Sequence, residues 1–162
     1  MEVIILAGGF GTRLQSVVPD LPKPMAAIGD RPFLAILLDD LITAGFTSAI
    51  LAVGYRYEAI RDYFGENYNS LSLAYSIETE PLGTGGAIAL ALKQIAGSQC
   101  FVVNGDTFLE LDYQAMLANH LEEGSILTVA VHEVPDANRY AFSTLKKTGS
   151  WVFLKRGVPV LE

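Results

Sequence analysis

Val3-Ile4-Ile5-Leu6-Ala7-Gly8-Gly9-Phe10-Gly11-Thr12-Arg13-Leu14 opens the chain with a continuous apolar run that stops at a glycine cluster. Apolar residues at successive positions, rather than alternate ones, describe a strand buried on both faces, as in a parallel sheet covered by helices. Three glycines within positions 8 to 11 let the backbone approach a ligand closely and turn N–H groups toward phosphate, and Arg13 adds a fork of charge-assisted donors. An ordinary tight turn would use the same glycines. A dinucleotide-binding loop would need a further glycine where Leu14 stands and a helix starting there, and no helical stripe follows.

Outward from this strand, residues 8 to 31 repeat Gly and Pro until Pro32 opens a helix with Leu34, Leu37, Leu38, Leu41 and Ile42 at helical spacing, ended by Gly45. The pattern then predicts a strand Ala49–Val53, a helix Tyr57–Phe64 closed by Gly65, and a strand Leu73–Ile77. A second glycine-rich turn, Pro81–Gly86, leads into an expected helix Ala87–Ile95, with Ile88, Leu92 and Ile95 on one face. A strand Cys100–Val103 follows and runs into Asn104-Gly105-Asp106. Beyond it are expected a helix capped by Asp112 and ending at Gly124, a strand Ile126–Val131, and a hairpin of Tyr140–Leu145 with Trp151–Leu154. Alternating strands and helices predict an α/β fold with a doubly wound, mostly parallel sheet, whose ligands collect at the carboxyl ends of the strands. The whole of 1–162 reads as a single domain.

Hydrophobic residues make up 51% of the chain and charged residues 18%, which excludes a disordered segment. The net charge of −7 disfavours nucleic acid as a partner, since polyanion binding needs a basic surface. A small anion would require a local positive patch instead. Apolar runs are broken before they could span a bilayer, and Met1-Glu2 leads straight into a strand, so a cytoplasmic protein with no membrane contact is expected. The single cysteine, Cys100, reads as a buried core thiol. His120 and His132 have no second histidine or cysteine at ligand spacing, and structural roles are expected for both.

Two further segments carry chemistry. In Leu21-Pro22-Lys23-Pro24-Met25, prolines on both sides of a lysine bias Pro22 and Lys23 toward extended backbone, a restraint that makes sense if the ammonium has a phosphate target; a solvated surface lysine is the alternative. Asp106, after a strand and a glycine, suits a Mg²⁺ ligand and a turn aspartate equally well.

LAGGFGTRL at 6–14 and LPKPM at 21–25, with EPLGTGGA at 80–87 and VNGD at 103–106, closely resemble the signature of sugar-1-phosphate nucleotidylyltransferases. The wording LPKPMAAIGDRPFL with VGY at 53–55 looks most like the D-glycero-D-manno-heptose 1-phosphate guanylyltransferase branch, with mannose-1-phosphate guanylyltransferases close behind. The resemblance implies a Rossmann-like fold and the joining of a nucleoside triphosphate to a sugar 1-phosphate with release of pyrophosphate. It implies Mg²⁺ held by Asp106, pyrophosphate held by Arg13, and phosphate charge neutralised by Lys23. Leu6, Ala7, Gly8, Gly9, Gly11 and Thr12 would line the nucleotide on one side. Glu80, Pro81, Gly83, Thr84 and Gly85 would line it on the other, and Asn104, Arg139 and Tyr140 would meet the sugar. Arg139 could equally pair on the surface, and Ala141 departs from the family's glycine at that place. No protein nucleophile is required, because a phosphate oxygen of the sugar 1-phosphate attacks the α-phosphorus directly, so catalysis is positioning and charge neutralisation.

Glu80 carries the base expectation. Guanine presents N1–H and the 2-amino group side by side, matching a carboxylate's two acceptors, whereas uracil and thymine flank one N–H with carbonyls. GTP is therefore expected over UTP, with Glu78 as the other candidate reader.

Family members usually run on for several dozen residues past this end, supplying a second Mg²⁺-binding aspartate, further sugar contacts and a Glu-Lys pair where this chain has Phe153-Leu154-Lys155-Arg156-Gly157. A shortened member is expected to expose apolar surface and to self-associate or be unstable, and its alternatives to a working transferase are a non-catalytic nucleotide-binding subunit or an inactive remnant.

Overall fold

A computed structural model describes residues 1–9 and 21–131, and the chain divides into two compact units, the first Met1–Leu109 and the second beginning at Glu110. The expected hairpin at 140–154, together with Gly11, Thr12, Arg13, His132, Arg139 and Tyr140, lies outside the described residues.

In chain order the first unit contains β1 (Glu2–Leu6), a 3-10 turn (Lys23–Met25), β2 (Ala27–Ile28), β3 (Arg31–Pro32), α1 (Phe33–Thr43), β4 (Ser48–Val53), α2 (Tyr57–Phe64), β5 (Asn67–Tyr68), β6 (Leu71–Ile77), α3 (Gly83–Ala91) and β7 (Phe101–Asn104). The main sheet runs in the order β5-β6-β4-β1-β7, parallel throughout except for β5 at the edge. The doubly wound α/β expectation is borne out. From β1 the chain steps outward through α1 to β4 and through α2 to β6, then returns by α3 to the far side of β1. With right-handed crossovers, that reversal places α3 on the opposite face from the first two helices and opens a crevice between the carboxyl ends of β1 and β7.

Both faces of the sheet are packed. Ile4, Ile50 and Ala52 meet Ala87 and Ala91 of α3, while Val3 and Ile5, which alternate to the other face, are also fully buried. Leu34, Leu37, Leu38 and Leu41 of α1 are buried as their spacing predicted. At the opposite end of the sheet, the Glu2 carboxylate accepts N–H bonds from Ala96 (3.2 Å) and Gly97 (2.7 Å), tying the start of β1 to the connection before β7. Glu2→Ala leaves both amides without this acceptor, and urea unfolding is expected to show a loss of about 1–3 kcal/mol.

Four local expectations differ from the structure. The third helix begins at Gly83, not Ala87, so part of the glycine-rich turn forms its first turn. Its buried face is Ala87 and Ala91, with Leu92 exposed, because small side chains let the helix lie close to Ile4 and Ile50. Lys23 is not extended: Met25 N–H and Ala26 N–H donate to Pro22 O and Lys23 O, forming a 3-10 turn whose first residues tolerate Pro24 because they need no N–H partner. In the second unit Asp112 caps α4 (Tyr113–Glu122) by accepting from Ala115 N–H at 2.9 Å, and Gly124 follows in a left-handed conformation at φ 58°. Residues 126–131 form no strand among the described residues; Ile126 is fully exposed and no described edge pairs with this run. His120 meets Thr128 through Nδ1 at 2.8 Å, a local structural contact.

Candidate active site

Strand ends build the site. Leu6 pairs with Asn104 at the carboxyl end of the β1–β7 ladder, and the chain then turns at Gly105, whose N–H donates to Leu6 O at 2.9 Å. A β-carbon on Gly105 would fall 3.0 Å from Leu6 O and 3.3 Å from both Ala7 Cβ and Ile5 Cγ2, so glycine is required for the two strand ends to close this tightly. Directly after it comes Asp106. Across the crevice, the buried Pro24 and Met25 pin the 3-10 turn that presents Lys23. Lys23 Nζ lies 2.5 Å from Asp106 Oδ2, and Thr107 Oγ1 donates to the other carboxylate oxygen at 3.2 Å.

Lys23 and Asp106 retain 37% and 34% of their side-chain exposure. An ion pair this wet contributes about 0–1 kcal/mol to stability, so folding alone does not explain it. Both residues face an open cleft of about 820 Å³, ample for a nucleotide. Its wall includes Leu6 at the end of β1 with Ala7, Gly8 and Gly9 after it, and Asn104 at the end of β7 with Asp106 beyond. Glu80, Pro81, Gly83 and Thr84 line it before and within the start of α3. Of the described residues singled out in the sequence, only Gly85 lies outside that wall; it is exposed, with open space where a side chain would stand.

The remaining wall residues carry no ligand assignment from the sequence, except Glu78, the alternative base reader. Gly54 and Tyr55 follow β4, Glu78 and Thr79 follow β6, and Ala52, Pro24 and Ala87 complete the floor and rim. Gly8 has a packing reason besides any ligand, since a β-carbon there would stand 3.3 Å from Gly54 N and 3.4 Å from Glu78 Oε1. The VGY at 53–55 was the available signal for this neighbour. Arg56 follows with a left-handed backbone at φ 54° and lays its guanidinium 5.3 Å from the Tyr55 ring centroid, orienting the ring at the cleft mouth. Cys100 is half-buried against the α3 side of the core, and burial, with Glu2 nearby, pushes its thiol up.

Among the described residues no group of three or more metal-ligating side chains gathers. Asp106 alone still suits Mg²⁺, which takes one or two carboxylates and completes its shell with water and substrate phosphates. No described helix is long and apolar enough to cross a membrane.

A crevice at the strand-order reversal, whose described wall includes glycine backbone, Lys23 and Asp106, is where a parallel α/β sheet places its ligands. The chain belongs to the nucleotidyl transferase family, whose sequence model matches residues 2–150. It is 44% identical over 140 residues to D-glycero-alpha-D-manno-heptose 1-phosphate guanylyltransferase of Campylobacter jejuni, a match covering 86% of this chain and 61% of that protein. It is 41% identical over 157 residues to the enzyme of the same name from Aneurinibacillus thermoaerophilus, covering 97% and 68%. The crystal structure of HddC from Yersinia pseudotuberculosis complexed with GMP-PN is 44% identical and superposes with a TM-score of 0.68, over 75% of this chain and 54% of that one. The chain thus spans between about half and two thirds of the length of these relatives.

Proposed function

We propose that the chain is a guanylyltransferase, joining GTP to a sugar 1-phosphate, a heptose 1-phosphate in the first place, with release of pyrophosphate. The carrying observation is the meeting of Lys23 and Asp106 inside the cleft that also holds the Gly8-Gly9 backbone and the Glu80–Thr84 segment. Two guanylyltransferase relatives and a relative solved with GMP-PN support guanine as the base. The family match across 2–150 supports reading both compact units as parts of one nucleotidyltransferase domain.

In this reading an oxygen of the sugar phosphate forms a bond to the α-phosphorus as the α–β bridging bond breaks, and pyrophosphate departs with the electron pair. Gly8 and Gly9 leave room for the phosphates to approach the main chain, and Gly11, Thr12 and Arg13 follow them in the motif, which assigns Arg13 to the leaving pyrophosphate. Lys23 supplies positive charge beside the reacting phosphates, and Glu80 accepts from guanine N1–H and its amino group. Asn104, Arg139 and Tyr140 are assigned to the sugar side. Asp106 would hold Mg²⁺ together with phosphate oxygens, and the ion would neutralise phosphate charge there.

Thermal melts with GTP, UTP, ATP and dTTP, each with and without Mg²⁺, test the reading together with a pyrophosphate-release assay. GTP with Mg²⁺ should raise the Tm most, and release should require the sugar 1-phosphate. A chain whose melting ignores every triphosphate overturns the proposal.

A further inference from the structure

We infer that Lys23 sets the order in which the cleft is loaded: its ammonium holds the Asp106 carboxylate against a divalent cation and gives it up when that cation arrives together with a triphosphate. The inference rests on the nucleotide reading of the cleft and adds an order of binding to it.

Both oxygens of Asp106 are engaged. Oδ2 lies 2.5 Å from Lys23 Nζ, and Oδ1 accepts from Thr107 Oγ1 at 3.2 Å. A hard cation uses the same lone pairs, so it has to displace the ammonium and then withstand its positive charge at close range. Among the described residues no group of three or more metal-ligating side chains gathers to offset that repulsion. The cation alone is therefore a poor competitor for this carboxylate.

A triphosphate changes the balance. The pair keeps more than a third of its side-chain exposure on each side, so water screens it and separation costs little. The main chain under Lys23 need not move. Pro24 and Met25 are buried, and Met25 N–H and Ala26 N–H close the turn on Pro22 O and Lys23 O, while the lysine's flexible stem remains to swing. Phosphate oxygens offer the ammonium new anionic partners, and they offer the cation the ligands that one aspartate lacks. A triphosphate without metal would draw the ammonium away and leave Asp106 facing phosphate with like charge. The two ligands together compensate both losses, so each raises the affinity for the other. Before they arrive, the ammonium also cancels a carboxylate charge that would repel incoming phosphate.

Manganese(II), a paramagnetic substitute for Mg²⁺, broadens amide resonances close to where it binds. Proton–nitrogen spectra of the 162-residue chain therefore read the occupancy of Asp106 without turnover. In the nucleotide-free wild-type chain, Gly105, Asp106 and Thr107 should broaden only at high Mn²⁺. Lys23→Met should lower the midpoint about five- to tenfold, through loss of one positive charge beside the carboxylate. Lys23→Gln should do the same, and Lys23→Arg, which keeps the charge, should stay within about twofold of wild type. Adding Asp106→Asn to Lys23→Met should abolish the gain, assigning it to this carboxylate. Equal midpoints for wild type and both neutral variants, or a gain that survives Asp106→Asn, overturns the inference. A wild-type spectrum that ignores GTP with Mg²⁺ overturns the nucleotide reading itself, whatever the Mn²⁺ midpoints show.

Discussion

Lys23→Ala is expected to lower the rate of pyrophosphate release about 10²–10³-fold while leaving the melting temperature nearly unchanged. The two halves of that expectation have separate causes. The ammonium is the cation that the described cleft wall presents beside Asp106, so its removal leaves the charge developing on the reacting phosphates without this counter-charge. Its contribution to folding is small, because the ion pair is more than one-third exposed on each side and water screens it. Initial rates at saturating GTP, beside a melt of the same preparation, check both halves. Near-normal turnover in the variant would remove Lys23 from the chemistry.

The second large effect is on the fold at the same place. Gly105→Ala should destabilise the chain by about 1–3 kcal/mol and also weaken nucleotide binding. Glycine to alanine ordinarily helps by reducing the freedom of the unfolded chain, by about 0.4–1 kcal/mol. Here the new methyl would press on Leu6 O, held by the Gly105 N–H, and on Ala7 and Ile5, so the clash exceeds the entropic gain. Relief requires the ends of β1 and β7 to part, which displaces Leu6, Ala7 and Asp106 in the cleft wall. Urea unfolding and a GTP titration of Gly105→Ala measure the two consequences.

Much of this architecture was legible in local pattern. Continuous apolar runs at 3–7 and 49–53 marked strands covered on both faces, the run at 100–103 marked β7, which is exposed on one face at Val102, and the helix Tyr57–Phe64 with its Gly65 stop agrees residue for residue. Two-residue strands such as Ala27–Ile28 and Arg31–Pro32 are too short to show a period. The start of α3 was hidden because Gly83 and Gly85 have poor intrinsic helix propensity; packing of Ala87 and Ala91 on the sheet overrides it, as does the fit of Gly86, where a β-carbon would sit 2.6 Å from Leu82 Cβ. In the cleft, motif residues were visible one segment at a time. What local spacing could not show is which strand ends become neighbours: Gly54 and Glu78 enter the wall because β4 lies beside β1 and β6 beside β4 in the sheet order.

Sheet order also governs when the cleft can exist. A chain emerging from the ribosome can zip β1 to β4 and β4 to β6 early, but the wall opposite β1 waits for the strand bearing Asn104. Closing that distant pairing carries the heaviest loop penalty in the sheet. Nascent chains shorter than about position 106 therefore contain the first glycine loop yet lack its facing side, and a ligand that needs both walls can stabilise only molecules that have completed the topology.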